Sequence, residues 1–176
     1  SQAGNRLASR HTAPKCLSKR SRLLIIRAYQ PSDAAPTLAL FRDTVQKINA
    51  KDYTADQIAV WAGHERSLAA WHASFMKHVA LVALDEAETI IGFADMASDG
   101  YLDRLYVSAT HQREGVGKRL VAALEQRVVS SQYTAYVSIT AQPFFKAMGY
   151  STIREHRAFI GTTSFRNCLM GKKVRM

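Results

Sequence analysis

The heptad Gln112-Arg113-Glu114-Gly115-Val116-Gly117-Lys118 carries the most specific chemistry in this 176-residue chain. It follows an apolar run, Leu102 to Val107, and opens an amphipathic helix that reaches to about Val129. The first N–H groups of a helix have no intrahelical partner, and the helix dipole adds about half a positive charge there. Gly115 and Gly117 lack Cβ atoms, so a ligand can approach the main chain and the turn can take conformations other residues resist. Those features make a diphosphate cradle. The spacing excludes two commoner loops. An ATP-type phosphate loop needs G-x-x-x-x-G-K-[ST], and here Arg119 follows Lys118. A dinucleotide fingerprint needs a third glycine where this chain has Leu120. What remains is Q-x-x-G-x-G, which taken alone also fits an ordinary strand-to-helix turn.

Acid–base candidates lie nearby in the chain. Asp103 falls in the strand-like run Tyr101–Val107, and Asp95 ends the run before it. His64 and Glu65 follow a helical segment. Each also reads as a surface polar residue, and a one-residue register slip moves either aspartate to the opposite face of a sheet. Tyr53, Trp61 and Trp71 are candidates for an acceptor pocket, although aromatics at helical spacing also read as core.

The elements that must position these residues follow from periodicity. Leu23–Tyr29 predicts a strand, and Ser32 or Asp33 caps a helix with Leu38, Phe41 and Val45 on one face. Thr54 with Gln57 forms a capping box for a second helix ending near Gly63. Ser67–Met76 adds a further turn or helix. Strands at His78–Leu84 and Thr89–Met96 flank the acidic turn Asp85–Glu88 as a hairpin. Tyr101–Val107 is the next strand, and Val116, Leu120, Leu124 and Val128 give the helix after it a core-facing stripe. A strand at Tyr133–Ile139, a helix at Ala141–Met148 and strands near Ile153–Ile160 and Ser164–Val174 complete the order β-α-α-β-β-β-α-β-α-β-β.

The charge balance bounds the partners. The net charge of +10 invites a nucleic-acid role. Residues 1–22, however, hold six of the 24 basic residues and no acid, and the rest of the chain nets only +4. The excess belongs to an N-terminal segment expected to be disordered, which leaves residues 23–176 as one domain and argues against a nucleic-acid face. No apolar run approaches the roughly 20 residues of a bilayer span. Cys16 and Cys168 give neither a disulfide framework nor metal spacing, which fits a reducing cytoplasm.

Two motifs in this order resemble those of the GNAT superfamily of acyl-CoA-dependent N-acyltransferases. Gln112–Gly117 matches the family's [QR]-x-x-G-x-[GA]. Ala141-Gln142-Pro143-Phe144-Phe145-Lys146-Ala147-Met148-Gly149-Tyr150 is similar to A-x-x-F-[YF]-x-x-x-G-[FY]. The opening Ile26–Ala34 resembles the usual first strand, so the resemblance covers about Leu24 to Val174.

The resemblance implies an α/β (α+β) fold with a mixed, mostly antiparallel sheet of six to seven strands, splayed at its centre and flanked by about four helices. It implies acetyl-CoA as co-substrate, no metal, and direct attack by a primary amine of a small-molecule or protein acceptor. The main chain of Leu105, Tyr106 and Val107 would take the pantetheine arm as an added strand. The N–H groups of Gln112, Arg113, Glu114, Gly115, Val116, Gly117 and Lys118 would hold the diphosphate, with Arg113, Lys118 and Arg119 as phosphate cations. Ser138 stands where the family often has asparagine, and Phe144 and Phe145 would lie near the thioester.

Many members have tyrosine at the position of Phe145, placed to protonate the leaving thiolate. Phenylalanine cannot, so Tyr150, Tyr136, water or the amine itself is left for that step. Asp103 is the favoured base. The alternatives are an acyl-CoA-binding domain with little catalysis and a basic nucleic-acid- or ribosome-associated protein. A homodimer through the final strands is physically plausible.

Overall fold

The computed structural model describes residues 23–64 and 67–175, so the basic N-terminal segment and Glu65 lie outside the described residues. The chain opens with β1 (Ile25–Ala28), α1 (Ala34–Lys47), α2 (Ala55–Gly63) and α3 (Leu68–Met76). Three consecutive strands follow, β2 (Val79–Leu84), β3 (Ile90–Met96) and β4 (Tyr101–Val107). Then come α4 (Val116–Arg127), β5 (Gln132–Ser138), α5 (Gln142–Ala147) and the hairpin β6 (Ser151–Ile160) and β7 (Thr163–Lys173). The helices number five among the described residues, because Ser67–Met76 is a full helix capped by the Ser67 hydroxyl, which accepts from the Ala70 N–H at 3.1 Å. The Thr54–Gln57 capping box forms as its spacing predicts, with reciprocal bonds of 2.9 and 3.2 Å.

All seven strands join one sheet in the order β1-β2-β3-β4-β5-β7-β6. Two antiparallel halves, β1–β4 and β5-β7-β6, meet only through the parallel pair β4–β5. That ladder holds for two residue pairs, Tyr101↔Thr134 and Leu102↔Ala135, and then stops. Beyond it the strands part into a V between residues 103–107 and 136–138. Gly100 is the pivot. Its φ of +89° belongs to the left-handed region, and a Cβ there would sit 2.5 Å from the Gln132 carbonyl oxygen. Only glycine lets the two halves approach this closely.

Two cores pack on opposite faces. On one, Val116, Leu120, Val121 and Leu124 of α4 and Phe145 of α5 meet Leu81, Ala94, Leu102, Val137 and Met170. On the other, Leu38, Phe41 and Val45 of α1 pack with Trp71 and Phe75 of α3 against Val82 and Phe93. Every residue between Ile91 and Met96 is buried, which makes the carboxylate of Asp95 an outlier that demands partners. No helix among the described residues is long and apolar enough to cross a membrane.

Candidate active site

The glycine loop closes the wide end of the V. Gly115 takes φ +82° and Arg113 φ +60°, so the turn into α4 is left-handed at two positions. A Cβ on Gly115 would meet nothing within 4 Å, so conformation rather than space selects glycine there. At Gly117 the reason is space, since a Cβ would lie 3.3 Å from the Phe144 ring and 3.7 Å from Val107. The Gln112 side chain turns back and donates to the carbonyls of Val107 at 2.7 Å and Ser108 at 3.2 Å. It therefore latches the end of β4 to the loop instead of facing outward. Val116 is buried in the core and leaves only main chain to the loop.

The cations divide. Arg113 and Lys118 stand exposed beside the loop. Arg119 donates to the Leu24 carbonyl at 2.8 Å, so its guanidinium is committed to the segment before β1. Leu105, Tyr106 and Val107 pair with β3 on one edge, and their other edge faces the V. Ser138 lies on the far lip, where its hydroxyl accepts from the Ala141 N–H and caps the turn into α5. Phe144 is half-buried at the Gly117 contact. Phe145 is core, edge-on to Phe144 and Tyr150 at 5.2 and 5.1 Å.

Tyr150 requires a correction. Only 2 % of it is exposed, and its hydroxyl is buried with no hydrogen-bond partner among the described residues. Burial, helped by Glu125, pushes its phenol far above the ordinary value. It sits in the α4–α5 core, while Asp103 belongs to a cluster on the other face, so the fold does not bring the two together.

Asp103 is placed by a β-bulge. Asp95 pairs with Arg104 while Met96 pairs with Leu102, so Asp103 is an extra residue on β4. Such an insertion re-aims a side chain. Here it sets Asp103 immediately past the last β4–β5 rung, with 38 % of its side chain exposed and an oxygen 3.9 Å from His78 Nδ1. Across the crotch stands Tyr136, in contact with the Tyr101 ring at 6.1 Å and the His156 ring at 4.4 Å. Burial, then the charge of Asp103, pushes the Tyr101 phenol up to about 12, so Tyr101 stays neutral beside the cleft.

Behind Asp103 lies a network that the motifs do not announce. Asp95 is fully buried and accepts from Arg104 Nε at 3.0 Å and from its terminal nitrogen at 2.6 Å. Arg104 also donates to the Ser74 hydroxyl at 2.8 Å, and its guanidinium lies 3.8 Å from the Phe75 ring centre and 4.7 Å from that of Trp71. His78 Nδ1 lies 2.8 Å from the second Asp95 oxygen. Asp95 is thus a structural carboxylate rather than a base open to substrate. His64 is exposed at the end of α2, and Trp71 is core. Tyr53 bridges, donating to the Arg166 carbonyl at 2.8 Å and accepting from the Ile139 N–H at 2.9 Å. Trp61 packs edge-on to Tyr53 and Phe165.

A sheet split at its centre, with a glycine loop at the wide end and an acid at the narrow end, leaves a cleft between its two halves. The acetyltransferase (GNAT) domain model matches residues 49–166, and the chain belongs to that family as a GNAT-type N-acetyltransferase. It is 32 % identical over 148 residues to the uncharacterized N-acetyltransferase YafP of Escherichia coli K12, covering 84 % of this chain and 95 % of that one. The crystal structure of a GCN5-related N-acetyltransferase from Rhodopseudomonas palustris superposes with a TM-score of 0.81 at 28 % identity, covering 85 % and 95 % of the two chains. The PaiA N-acetyltransferase of Thermoplasma acidophilum, solved in complex with coenzyme A, shares the fold with a TM-score of 0.67 at 20 % identity, covering 86 % and 99 %.

Proposed function

We propose that this chain transfers the acetyl group of acetyl-CoA to a primary amine. The thioester enters the V from the α4–α5 side and the amine arrives on the α1–α3 face. The observation that carries this reading is the β4–β5 ladder, which ends after two residue pairs and leaves the inner edge of β4 open along Leu105, Tyr106 and Val107. The coenzyme A complex of the PaiA relative supports the choice of acyl donor.

In this reading the open edge of β4 takes the pantetheine amides, and the N–H groups from Gln112 to Lys118 take the diphosphate at the start of α4. Arg113 and Lys118 add charge-assisted contacts to phosphate. Phe144 and Ser138 border the arm, and Phe145 supports Phe144 from the core. A main-chain N–H on the open edge of β4 polarises the carbonyl. Asp103 draws the ammonium group of the acceptor to the crotch. Phe145 has no proton to give the sulfur and the Tyr150 hydroxyl is sealed, which leaves Tyr136, water or the attacking nitrogen to protonate the thiolate. The buried thiol of Cys168 suits a reducing compartment such as the cytoplasm.

The test is thermal unfolding with and without acetyl-CoA, followed by an amine screen that reads released thiol. At a hundredfold excess over the dissociation constant, about 2.7 kcal/mol of stabilisation is expected. No stabilisation overturns the reading. Stabilisation without thiol release from any amine favours an acyl-CoA-binding domain, the alternative that Phe145 motivates.

A further inference from the structure

We infer that His78 is the proton acceptor for the incoming amine, with Asp95 and Arg104 as the positioning residues that hold it ready. The inference rests on the acetyltransferase reading above and assigns a role which no motif in the chain carries.

The first step is the tautomer. Asp95 is fully buried, and each of its oxygens accepts a bond from Arg104. A carboxylate can only accept, so the 2.8 Å contact requires the proton of neutral His78 to sit on Nδ1. That leaves the Nε2 lone pair as the basic position. The buried pair thus does for this imidazole what an orienting carboxylate does in a hydrolase triad.

The second step is charge. Asp95 and Arg104 form a buried ion pair on the Nδ1 side of the ring, and an Asp103 oxygen lies 3.9 Å from the same atom. A proton taken up by the ring therefore meets carboxylate oxygens 2.8 and 3.9 Å from Nδ1. Among the described residues, Asp95 from β3 and Asp103 and Arg104 from β4 stand around the imidazole. Ser74 of α3 holds Arg104 from behind. Lys77 precedes the histidine in the chain and is exposed.

The third step is place. Val79 pairs with Met96 and Met96 with Leu102, the last rung before the V opens, so His78 lies one residue behind that level. Its side chain keeps 18 % exposure beside the exposed Asp103. The carboxylate recruits the ammonium, and the imidazole, whose ordinary pKa lies far nearer neutrality than that of a carboxylate, takes its proton directly or through one water.

The step balances as follows. The ammonium N–H bond breaks and its proton goes to His78 Nε2. The freed nitrogen pair forms the C–N bond while the carbonyl π pair moves to oxygen. The C=O bond reforms, the C–S bond breaks, and its pair leaves on sulfur. The second nitrogen proton passes to the thiolate, and His78 returns its own to solvent. Three of the same groups, His78, Asp95 and Asp103, lie close enough to invite a divalent cation. The guanidinium of Arg104, 2.6 Å from an Asp95 oxygen, occupies that carboxylate and repels such an ion.

The experiment compares wild type with H78Q, using acetyl-CoA and the best primary amine of a commercial amine panel. Expected is a fall in kcat/KM of about 10²–10⁴-fold with the acetyl-CoA thermal shift retained and the acid limb of the pH profile removed. Long-range 15N NMR of the wild type should show neutral His78 protonated at Nδ1. An H78Q activity within threefold of wild type, or an Nε2-protonated neutral ring, overturns the inference. So does a loss of acetyl-CoA binding in step with activity, which marks a structural role. Wild type that neither binds acetyl-CoA nor releases thiol fails the acetyltransferase reading instead, and the two failures are told apart by that control.

Discussion

On its α4–α5 side the cleft offers mostly main chain: an open strand edge, a left-handed turn and the start of a helix. On its α1–α3 side it offers side chains held by other side chains, with Asp103 on a bulge and His78 backed by Asp95, Arg104 and two aromatic rings. Main-chain recognition depends on where glycines let the backbone go, so one ligand arm can be held by many sequences. Side-chain recognition depends on identity at each position. The first surface suits a shared acyl donor, and the second suits the partner that distinguishes one acetyltransferase from another.

The largest expected break in that comparison is on the side-chain face. D103N should lower kcat/KM by about a hundredfold with the amine while leaving the acetyl-CoA thermal shift intact. Loss of the shift would mean that the faces are not separable. At the pivot, G100A forces a Cβ against the Gln132 carbonyl at a φ alanine resists, and should cost about 3 kcal/mol in a urea melt. G117W presses a ring into Phe144 at the mouth of the cradle and should abolish the roughly 2.7 kcal/mol acetyl-CoA stabilisation, leaving the His78 tautomer unchanged.

A region away from both faces serves as a control. Asp33 accepts from Arg27 at 2.7 and 2.9 Å and from the Gln30 N–H at 2.8 Å. Burial pushes its pKa up, but Arg27 and that N–H outweigh it and hold the carboxyl below its ordinary value. Its contribution to stability is therefore present above the unfolded-state value and lost as pH falls through the folded one. D33N should cost about 1–2 kcal/mol at pH 7, with the gap to wild type closing in the acid range. The smallest effect is F145Y, which places a hydroxyl in an apolar core. It should lose about 1 kcal/mol and gain no activity.

How much of this was legible in the sequence follows the same division. The loop could be read because glycines at two fixed positions and a helix stripe are local signals. The strand order and the splay came with the family motifs. The third helix was ambiguous as a short apolar segment, and its Ser67 cap resolved it. Asp103 was named, but its face depended on a bulge that no local pattern marks. Tyr150 was drawn toward the chemistry by its place in the second motif, whereas packing against Phe145 seals its hydroxyl. His78 was read as the first residue of a strand. Its only signal was indirect, since a lone aspartate in the buried run Ile91–Met96 requires polar partners from neighbouring strands.

The early end of the β4–β5 ladder also bears on association. A sheet of seven strands has two outer edges, and parting at the centre creates two more. Unpaired edges are where strands of other molecules dock and aggregates begin. These inner edges lie between α1, which contacts β4 on one face, and α4 and α5, which contact β4 and β5 on the other, so a slender linear ligand can enter where a foreign strand with side chains cannot. The gap proposed here as the acyl-donor site is thereby also a guarded edge, and filling it completes the sheet.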